Sequence, residues 1–460
     1  MTQRLNCLLL FAVCLSALRA VAGGPLVVGG PNFGVEGQPF TWDLASFPIK
    51  YRVDGGPMST SSGKVVIDNA TGLARVQKMF GNWQVVGTTN ISYSYAGPIQ
   101  SAGSFTGGDV ATVTQFNDVI GSCRSGTQSP IVFDAGGIIV AGLGLDPDII
   151  GFAGQCKLDT SSGHIVTAFA LLNGQFQDGV NSPPNYEITS DQFDQAITHE
   201  FGHFSGLDHS QINALVMVQE SVDNCDSDSL TGMPIMFPIL YCQARSTAGL
   251  PVLSPDDMAW ISKLYPATNY SSTYGTISGL ILFSDGITHA QGVNVIARRV
   301  DDPATSQNES LQFAVSVVSG YRFTGNPGQA VTGDNTNGDS TGSRSPLLIG
   351  AYEIPVPAGT YTVEVESINS GFTLSSSVGP LDPPIFIPGR AEFWNLQESA
   401  FDDYSARDPI TVAPGQTVNG INIILNGTEP RFDQFEDGGA KLDYPRQLLR
   451  PVRQKEESVA

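Results

Sequence analysis

The sequence predicts two structural units in succession: an α+β unit that carries long helices, and a smaller all-β unit of sandwich type. Apolar residues recur at helical spacing over residues 72–86. A further helix is indicated by Ser254, Pro255 and Asp257, which supply an N-cap, a first-turn proline and a capping box. From residue 275 onward, short alternating apolar and polar runs are separated by glycine-containing turns, which is typical of strands.

The segment HEFGHFSGLDH, which begins at His199, contains three of the five histidines of the chain. On a helix, His199 and His203 lie one turn apart on one face, so both imidazoles can bind one metal ion. Gly206 permits the sharp turn that ends the helix, and His209 then returns as a third ligand. Three surface histidines on an amphipathic helix are the alternative, which the matching glycine and third histidine disfavour.

Three neutral imidazoles with a fourth position left for water are the ligand set of a catalytic zinc ion, whereas structural zinc sites are closed by four protein ligands. Glu200 lies beside the ligands and can act as general base on the zinc-bound water. The hydroxide then attacks a carbonyl that zinc polarises. The predicted reaction is hydrolysis of a peptide bond, with a protein or peptide as substrate.

This motif resembles that of the metzincin metalloproteases, in which a methionine-containing turn lies beneath the zinc. The segment PIMFPILY places Met236 in such a turn, and its Met-aromatic-Pro run is similar to the matrixin branch, as is Ser210 after the third histidine. The resemblance implies a twisted mixed sheet with an active-site helix. It also implies that Met236 supports the site and that Pro238 and Tyr241 form the wall of a specificity pocket.

The matrixin-like domain is predicted over residues 44–268, after an N-terminal extension (residues 23–43). The family likeness makes residues 47–53 the first strand and residues 163–172 the edge strand that aligns substrate by strand addition. Asp256 and Asp257 become candidates for an acidic pair that supports the active-site base.

Three features depart from the family pattern. A long insertion that contains Cys225 separates His209 from Met236. The structural zinc that matrixins carry is predicted to be absent, because His164 is the only other histidine of this domain. A cysteine-switch propeptide is lacking, so any latency must work in another way.

Residues 1–22 are predicted to be a secretory signal peptide, with Arg4, an apolar run over residues 8–18 and the small-residue site AVA. The localisation expected is secreted, extracellular or periplasmic. No other segment offers enough uninterrupted apolar residues for a membrane span. The net charge of −21 argues against nucleic acid as a partner. The sequence leaves the oligomeric state open.

Four cysteines remain after removal of the signal, namely Cys123, Cys156, Cys225 and Cys242. In an oxidising compartment they predict two disulfides, for which three pairings exist. The favoured pairing is Cys123–Cys156 and Cys225–Cys242. A four-cysteine zinc site is the alternative, and no CxxC spacing supports it.

Calcium is a second candidate ion. Asp134, Asp146 and Asp148 lie in a glycine-rich stretch where the resemblance implies a calcium site. The alternative is an acidic loop that is simply solvated.

The second half of the chain reads as a linker (residues 269–274), a β-sandwich (residues 275–428) and a disordered charged tail (residues 429–460). Strands are predicted at residues 276–283, 293–297 and 421–425. Residues 350–365 read as two strands joined by a Pro-x-Gly turn. This pattern resembles the carboxypeptidase regulatory-like domain, which is a transthyretin-like sandwich.

Two further functions remain as alternatives to the endopeptidase. One is a cell-surface or matrix-binding protein with a latent or inactive protease domain. The other is a structural sandwich protein whose partner domain is stabilised by metal. Retention of all three histidines and of Glu200 favours the enzyme.

Overall fold

Mixed α and β elements make up the first part of the chain. A computed structural model describes residues 23–181, 186–210, 212, 230–304, 308–323, 341–366 and 392–427. The N-terminal unit contains the strands β1 (Thr41–Trp42), β2 (Ile49–Val53), β3 (Ser59–Ser61), β4 (Lys64–Ile67), β5 (Tyr93–Pro98), β6 (Pro130–Asp134), β7 (Gly151–Asp159) and β8 (His164–Asn173). Its helices are α1 (Asn69–Gln84), α2 (Val113–Ser125), α3 (Ile138–Gly142), α4 (Ser190–Phe204) and α5 (Pro255–Leu264).

The sheet of the N-terminal unit is mixed, with strand order β1-β8-β6-β2-β5 and parallel pairing along this path. Strand β7 pairs antiparallel with β8, from Gly151 opposite Leu172 to Asp159 opposite His164. The prediction that residues 163–172 form the edge strand is therefore wrong. These residues form β8, which has neighbours on both sides and is buried at seven of its ten positions, and β7 is an edge strand among the described residues.

Local capping explains where the predicted helices begin. Helix α1 starts slightly earlier than residue 72, because the Asp68 carboxylate accepts a hydrogen bond from the Thr71 amide at 2.8 Å. Its buried face carries Val76, Met79, Phe80 and Trp83. Helix α5 begins with the predicted capping box of Ser254 and Asp257, with proline in its first turn.

The C-terminal unit contains two larger sheets. Its elements are α6 (Tyr270–Thr273), β9 (Tyr274–Leu282), β10 (Asn294–Arg299), α7 (Glu309–Gln312), β11 (Ala314–Val318), β12 (Ala351–Pro357), β13 (Gly359–Glu366), β14 (Glu392–Phe393), β15 (Ile410–Val412), β16 (Thr417–Val418) and β17 (Ile423–Ile424). One sheet has the order β11-β10-β13-β14 with β15 on β13; the other has the order β12-β9-β16 with β17 on β9. The consecutive strands β12 and β13 lie in different sheets, and the apolar faces of both sheets contribute to one buried cluster.

The segment predicted as a linker is folded. Residues 270–273 form α6, and Tyr274 already belongs to β9. The Ala267 amide donates to the carbonyl of Thr88, and the rings of Tyr270 and Tyr274 stack at 5.1 Å. The hydrophobic cluster is continuous from the N-terminal unit through Trp260 into the C-terminal unit, so the two units share buried surface.

The predicted disulfide between Cys123 and Cys156 is confirmed, and it joins α2 to β7. Cys242 is also disulfide-bonded, whereas its predicted partner Cys225 lies outside the described residues, so that pairing stays a prediction. The signal peptide and the charged tail lie outside the described residues as well. No helix in the described part of the chain has both the length and the apolar character to cross a membrane.

Candidate metal centre

The three histidines of the motif come together at the end of α4. This helix begins at a capping box between Thr189 and Gln192 and ends just before Gly206, whose φ of +97° lies in the left-handed region. A Cβ on Gly206 would also lie 3.1 Å from the Ile165 side chain, so both backbone and packing require glycine there. The chain then reverses and places His209 opposite His203.

The imidazole rings of His199, His203 and His209 form a nearly equilateral triangle, with centroid separations of 4.7, 5.1 and 4.6 Å. One nitrogen from each ring lies within 4.8 Å of the others, and Nε2 of His203 is 3.1 Å from Nε2 of His209. Tetrahedral zinc with Zn–N bonds of about 2.0–2.1 Å separates its ligand nitrogens by about 3.3 Å. The donor set therefore fits a zinc ion.

Backbone carbonyls orient two of the three rings. Nδ1 of His199 is 2.7 Å from the carbonyl oxygen of Ile235, and Nδ1 of His203 is 2.9 Å from that of Leu207. A carbonyl can only accept, so each Nδ1 carries the proton and each Nε2 keeps its lone pair for a metal. Nδ1 of His209 has no hydrogen-bond partner within the described part of the chain.

Burial keeps these histidines neutral. It lowers the pKa of His199 to about 4 and that of His203, which also faces His199, to about 3; the pKa of His209 is lowered well below its usual value for the same reason. Neutral imidazoles are the form that binds metal. The site is thus ready for a cation at neutral pH without first releasing protons.

Glu200 lies beside the histidines with its carboxyl group buried. Burial raises its pKa to about 8, and its Oε2 atom has no hydrogen-bond partner within the described residues. Space for this side chain comes from Gly151 at the start of β7, where a Cβ would lie 3.0 Å from Cγ of Glu200 and 3.0 Å from the carbonyl of Leu171. Sequence reasoning missed Gly151, because a strand-initial glycine carries no local sign of what it contacts.

The methionine turn packs directly against helix α4. The space that a Cβ on Gly202 would need is occupied by the Met236 sulfur. The Met236 carbonyl accepts the Ser210 amide at 2.7 Å, next to the third histidine. Met236 therefore contacts both the helix that carries two ligands and the segment that carries the third.

Asp257 holds this turn from below. Its carboxylate accepts the amides of Ile235 at 2.9 Å and Met236 at 3.1 Å, besides that of Ser254 at 2.7 Å. Because the Ile235 carbonyl orients His199, Asp257 acts on a candidate ligand through one peptide unit. Of the predicted acidic pair, Asp257 therefore supports the methionine turn. The neighbouring Asp256 instead accepts the Ser316 amide of the C-terminal unit at 2.8 Å.

Arg245 is a second supporting residue, which the sequence did not reveal. Its buried guanidinium donates from NH1 to the carbonyls of Leu230, Thr231 and Met233 at 2.7–2.9 Å, and from Nε to that of Pro251 at 2.9 Å. These carbonyls belong to the chain on either side of the methionine turn. An arginine in a loop-rich stretch gives no sequence signal for such a role, because surface arginines are far more common.

The proposed pocket residues are partly brought together. Tyr241 packs against Met233 and Phe237, and its carbonyl accepts Nε2 of Gln192 at 3.1 Å. Pro238 is partly exposed in the same segment. Their role as a specificity wall stays a prediction.

The predicted calcium ligands have separate local roles. Asp134 accepts the Val140 amide of α3 at 2.8 Å, and Asp146 accepts the amide of Asp148 at 2.9 Å. Among the described residues, the three histidines are the group of three or more His, Cys, Asp or Glu side chains whose ligand atoms lie within 4.8 Å. The calcium site stays a prediction.

Comparison with known proteins adds little. No protein-family model matches this chain, and no curated protein matches it. A solved leucine-rich repeat protein from Bacteroides thetaiotaomicron is 15% identical over 34% of this chain and 15% of that chain, with a TM-score of 0.14. A TM-score this low carries no argument about the fold, so the function must be argued from the site itself.

Proposed function

We propose that this protein is a secreted zinc-dependent endopeptidase, with a matrixin-like metzincin unit followed by a transthyretin-like β-sandwich. One observation carries the proposal: nitrogens of three histidine rings lie within 4.8 Å of one another, beside a buried glutamate whose Oε2 has no partner among the described residues. The turn that holds Met236 beneath this cluster supports the family likeness. The disulfide Cys123–Cys156 supports an oxidising compartment.

When bound, zinc would lower the pKa of a coordinated water to roughly 7 and polarise the scissile carbonyl. His199, His203 and His209 would hold it through neutral ring nitrogens. Glu200 takes the proton of the attacking water at Oε2 and returns it to the nitrogen of the leaving amine, so one C–O bond forms as the C–N bond breaks. A nearby dication favours the carboxylate over the acid, which offsets the effect of burial on Glu200.

The substrate would lie along β7 rather than along β8. Strand β7 has an open edge among the described strands, and its first residue, Gly151, contacts Glu200. An extended peptide that added to this edge would run past the general base, held by main-chain hydrogen bonds.

Cleavage of a mixed peptide library by the mature chain, with and without a zinc chelator, tests this function. We expect chelator-sensitive cleavage that is lost in Glu200→Ala while one zinc per chain is retained. Glu353→Ala removes a carboxylate on β12 and serves as the matched control, with cleavage like that of the wild type. Unchanged cleavage by Glu200→Ala would contradict the mechanism. Bound zinc without cleavage would favour the alternative, a binding protein with a latent or inactive protease domain.

A further inference from the structure

The chain that leaves the third histidine runs onto the C-terminal unit. Oγ of Ser210 lies 3.3 Å from Oγ of Ser316 in β11, and both residues are buried. Two residues later, Ile212 packs against Ile296 of β10 and Ala314 of β11. Ser210 and Ile212 therefore rest on the outer face of a sheet from the other unit.

Asp256 joins the two sides of this contact. Its carboxylate accepts the Ser316 amide at 2.8 Å, and the Ser210 side chain also donates to it. Asp256 lies in the first turn of α5, directly before Asp257, which holds the methionine turn. The first turn of α5 thus contacts the methionine turn through Asp257, and it contacts both Ser210 and strand β11 through Asp256.

The contact also covers a sheet edge. Strand β11 is at the end of its sheet, and it pairs with β10 so that Ser316 lies opposite Ile296. The amide and carbonyl of Ser316 point away from β10, since Asp256 accepts from the amide and Nε1 of Trp260 donates to the carbonyl at 2.7 Å. Exposed backbone groups of an edge strand need partners when buried, and α5 supplies them.

The third ligand is the one that needs such support. His199 and His203 are fixed by α4 and by carbonyls that accept from Nδ1. His209 lies beyond the helix end, and its Nδ1 has no partner in the described part of the chain. The main chain on either side of His209 therefore bears directly on the position of its ring. That main chain is held by the Gly24 carbonyl, which accepts the Asp208 amide at 3.1 Å, and by the contacts of Ser210.

We infer that the C-terminal β unit is a positioning part of the metal centre, in which Ser316 of β11 fixes His209 through Asp256 and Ser210. This inference rests on the proposed function, because it assumes that the histidines bind zinc. It gives the β unit a role at the site, because removal of its contacts loosens one ligand of three. Ser316, Asp256 and Ser210 are positioning residues that do not touch the substrate.

The test uses the mature full chain and compares Ser316→Ala, Asp256→Ala and Asp256→Asn with the wild type. Ser319→Ala is the matched control: Ser319 is also a fully buried serine of the C-terminal unit, and its hydroxyl bonds within that unit, to the carbonyl of Ala290. Zinc affinity is measured by competition with a chromophoric chelator. The visible absorption of the cobalt-substituted protein reports ligand geometry, and thermal unfolding of the metal-free protein reports stability.

We expect Asp256→Ala to weaken zinc binding about tenfold, as loss of an outer partner of a metal ligand does, and to shift the cobalt spectrum. Ser316→Ala keeps the main-chain amide that Asp256 accepts and removes only the hydroxyl beside Ser210, so it should weaken zinc binding about two- to threefold. Asp256→Asn keeps an acceptor for the Ser316 amide and should restore most of the affinity. Ser319→Ala should lower stability without changing zinc affinity or the cobalt spectrum.

Wild-type zinc affinity in both Ser316→Ala and Asp256→Ala would overturn the inference, whatever their stability. So would an equal loss of affinity in Ser319→Ala, because the effect would then be general loosening. If Asp256→Ala does not fold, Ser316→Ala decides the question, and wild-type zinc affinity in that variant overturns the inference. A wild-type protein that binds no zinc would instead overturn the proposed function, and an enzyme that binds zinc with equal affinity in all variants overturns only the positioning role.

Discussion

The sulfur of Met236 occupies the space that a side chain on Gly202 would fill, so the methionine turn packs directly against helix α4. The same methionine accepts the Ser210 amide through its carbonyl. Met236 therefore links the helix that carries two candidate ligands, which it contacts at Gly202, to the segment that carries the third, which it contacts at Ser210.

Gly202→Ala should destabilise the protein by about 1–3 kcal/mol, because the added methyl group overlaps with Met236 and lies 3.0 Å from the Trp83 ring. The matched control is Gly81→Ala in α1, where a Cβ meets no heavy atom within 4 Å. That exchange should stabilise by about 0.5–1 kcal/mol, since alanine favours a helix. Urea unfolding of both variants checks this, and equal stability of the two would refute the overlap.

Asp257→Asn should cost about 1–3 kcal/mol, because one of the three amides bound by the carboxylate would face an amide nitrogen instead of an oxygen. Zinc affinity should fall as well, since the Ile235 carbonyl that orients His199 would shift. Asp68→Asn makes the same exchange at the N-cap of α1, where asparagine caps as well as aspartate, so its effect should stay below about 0.5 kcal/mol. Chemical denaturation and chelator competition measure both effects, and similar costs at the two sites would contradict the role of Asp257.

Arg245→Lys should cost at least about 2 kcal/mol, because an ammonium cannot serve all four carbonyls that the guanidinium bonds. Arg124→Lys at the exposed end of α2 is the control, with little expected change. Thermal unfolding measures the difference. If the lysine at residue 245 is tolerated as well as the lysine at residue 124, the guanidinium does not hold the loop.

The metal-free protein should lose stability as pH rises through the range set by Glu200. Burial raises the folded pKa of this carboxyl to about 8, above the 4.5 of an exposed glutamate, so the folded state holds the proton more tightly than the unfolded state. The stabilisation is complete below about pH 4.5 and is lost as pH rises to about 8, at up to roughly 1.4 kcal/mol per pH unit.

Comparison of unfolding free energies for wild type and Glu200→Gln, both metal-free, isolates this effect. The difference between them should change with pH in that window and should flatten when zinc is added, because a cation favours the carboxylate. A pH-independent difference would show that Glu200 is not desolvated.

Much of the site could be predicted because its determinants are local. The i, i+4 spacing of His199 and His203, the glycine turn and the return of His209 depend on helix geometry and on one backbone conformation. The caps of α5 and the alternating strands of the C-terminal unit are local in the same sense. Compartment and number predicted two disulfides, and the pairing was chosen because Cys225–Cys242 would close the long insertion across the methionine turn; of this pairing, Cys123–Cys156 is confirmed.

Contacts between distant segments were harder to predict. Residues 163–172 were predicted to be the edge strand, because an apolar run does not show how many neighbours a strand has. In the structure β7 pairs with the outer side of β8 and forms the edge among the described strands. Gly151 and Arg245 became visible only when the atoms around them were known. The predicted linker proved to be a helix followed directly by β9, because the two units pack together there.

By itself, the sequence determined the candidate ligands, the candidate general base and the candidate supporting methionine, because their residue types and spacing lie within short segments of the chain. The tertiary structure alone decided that β11 lies against Ser210, next to the third candidate ligand, and that Asp256 and Asp257 face different partners. Such relations join residues far apart in the chain, such as Ser210 and Ser316. These contacts form because backbone N–H and C=O groups that become buried when the elements pack need hydrogen-bond partners. Which groups become buried depends on the packing of the whole chain, so no single sequence position reveals it.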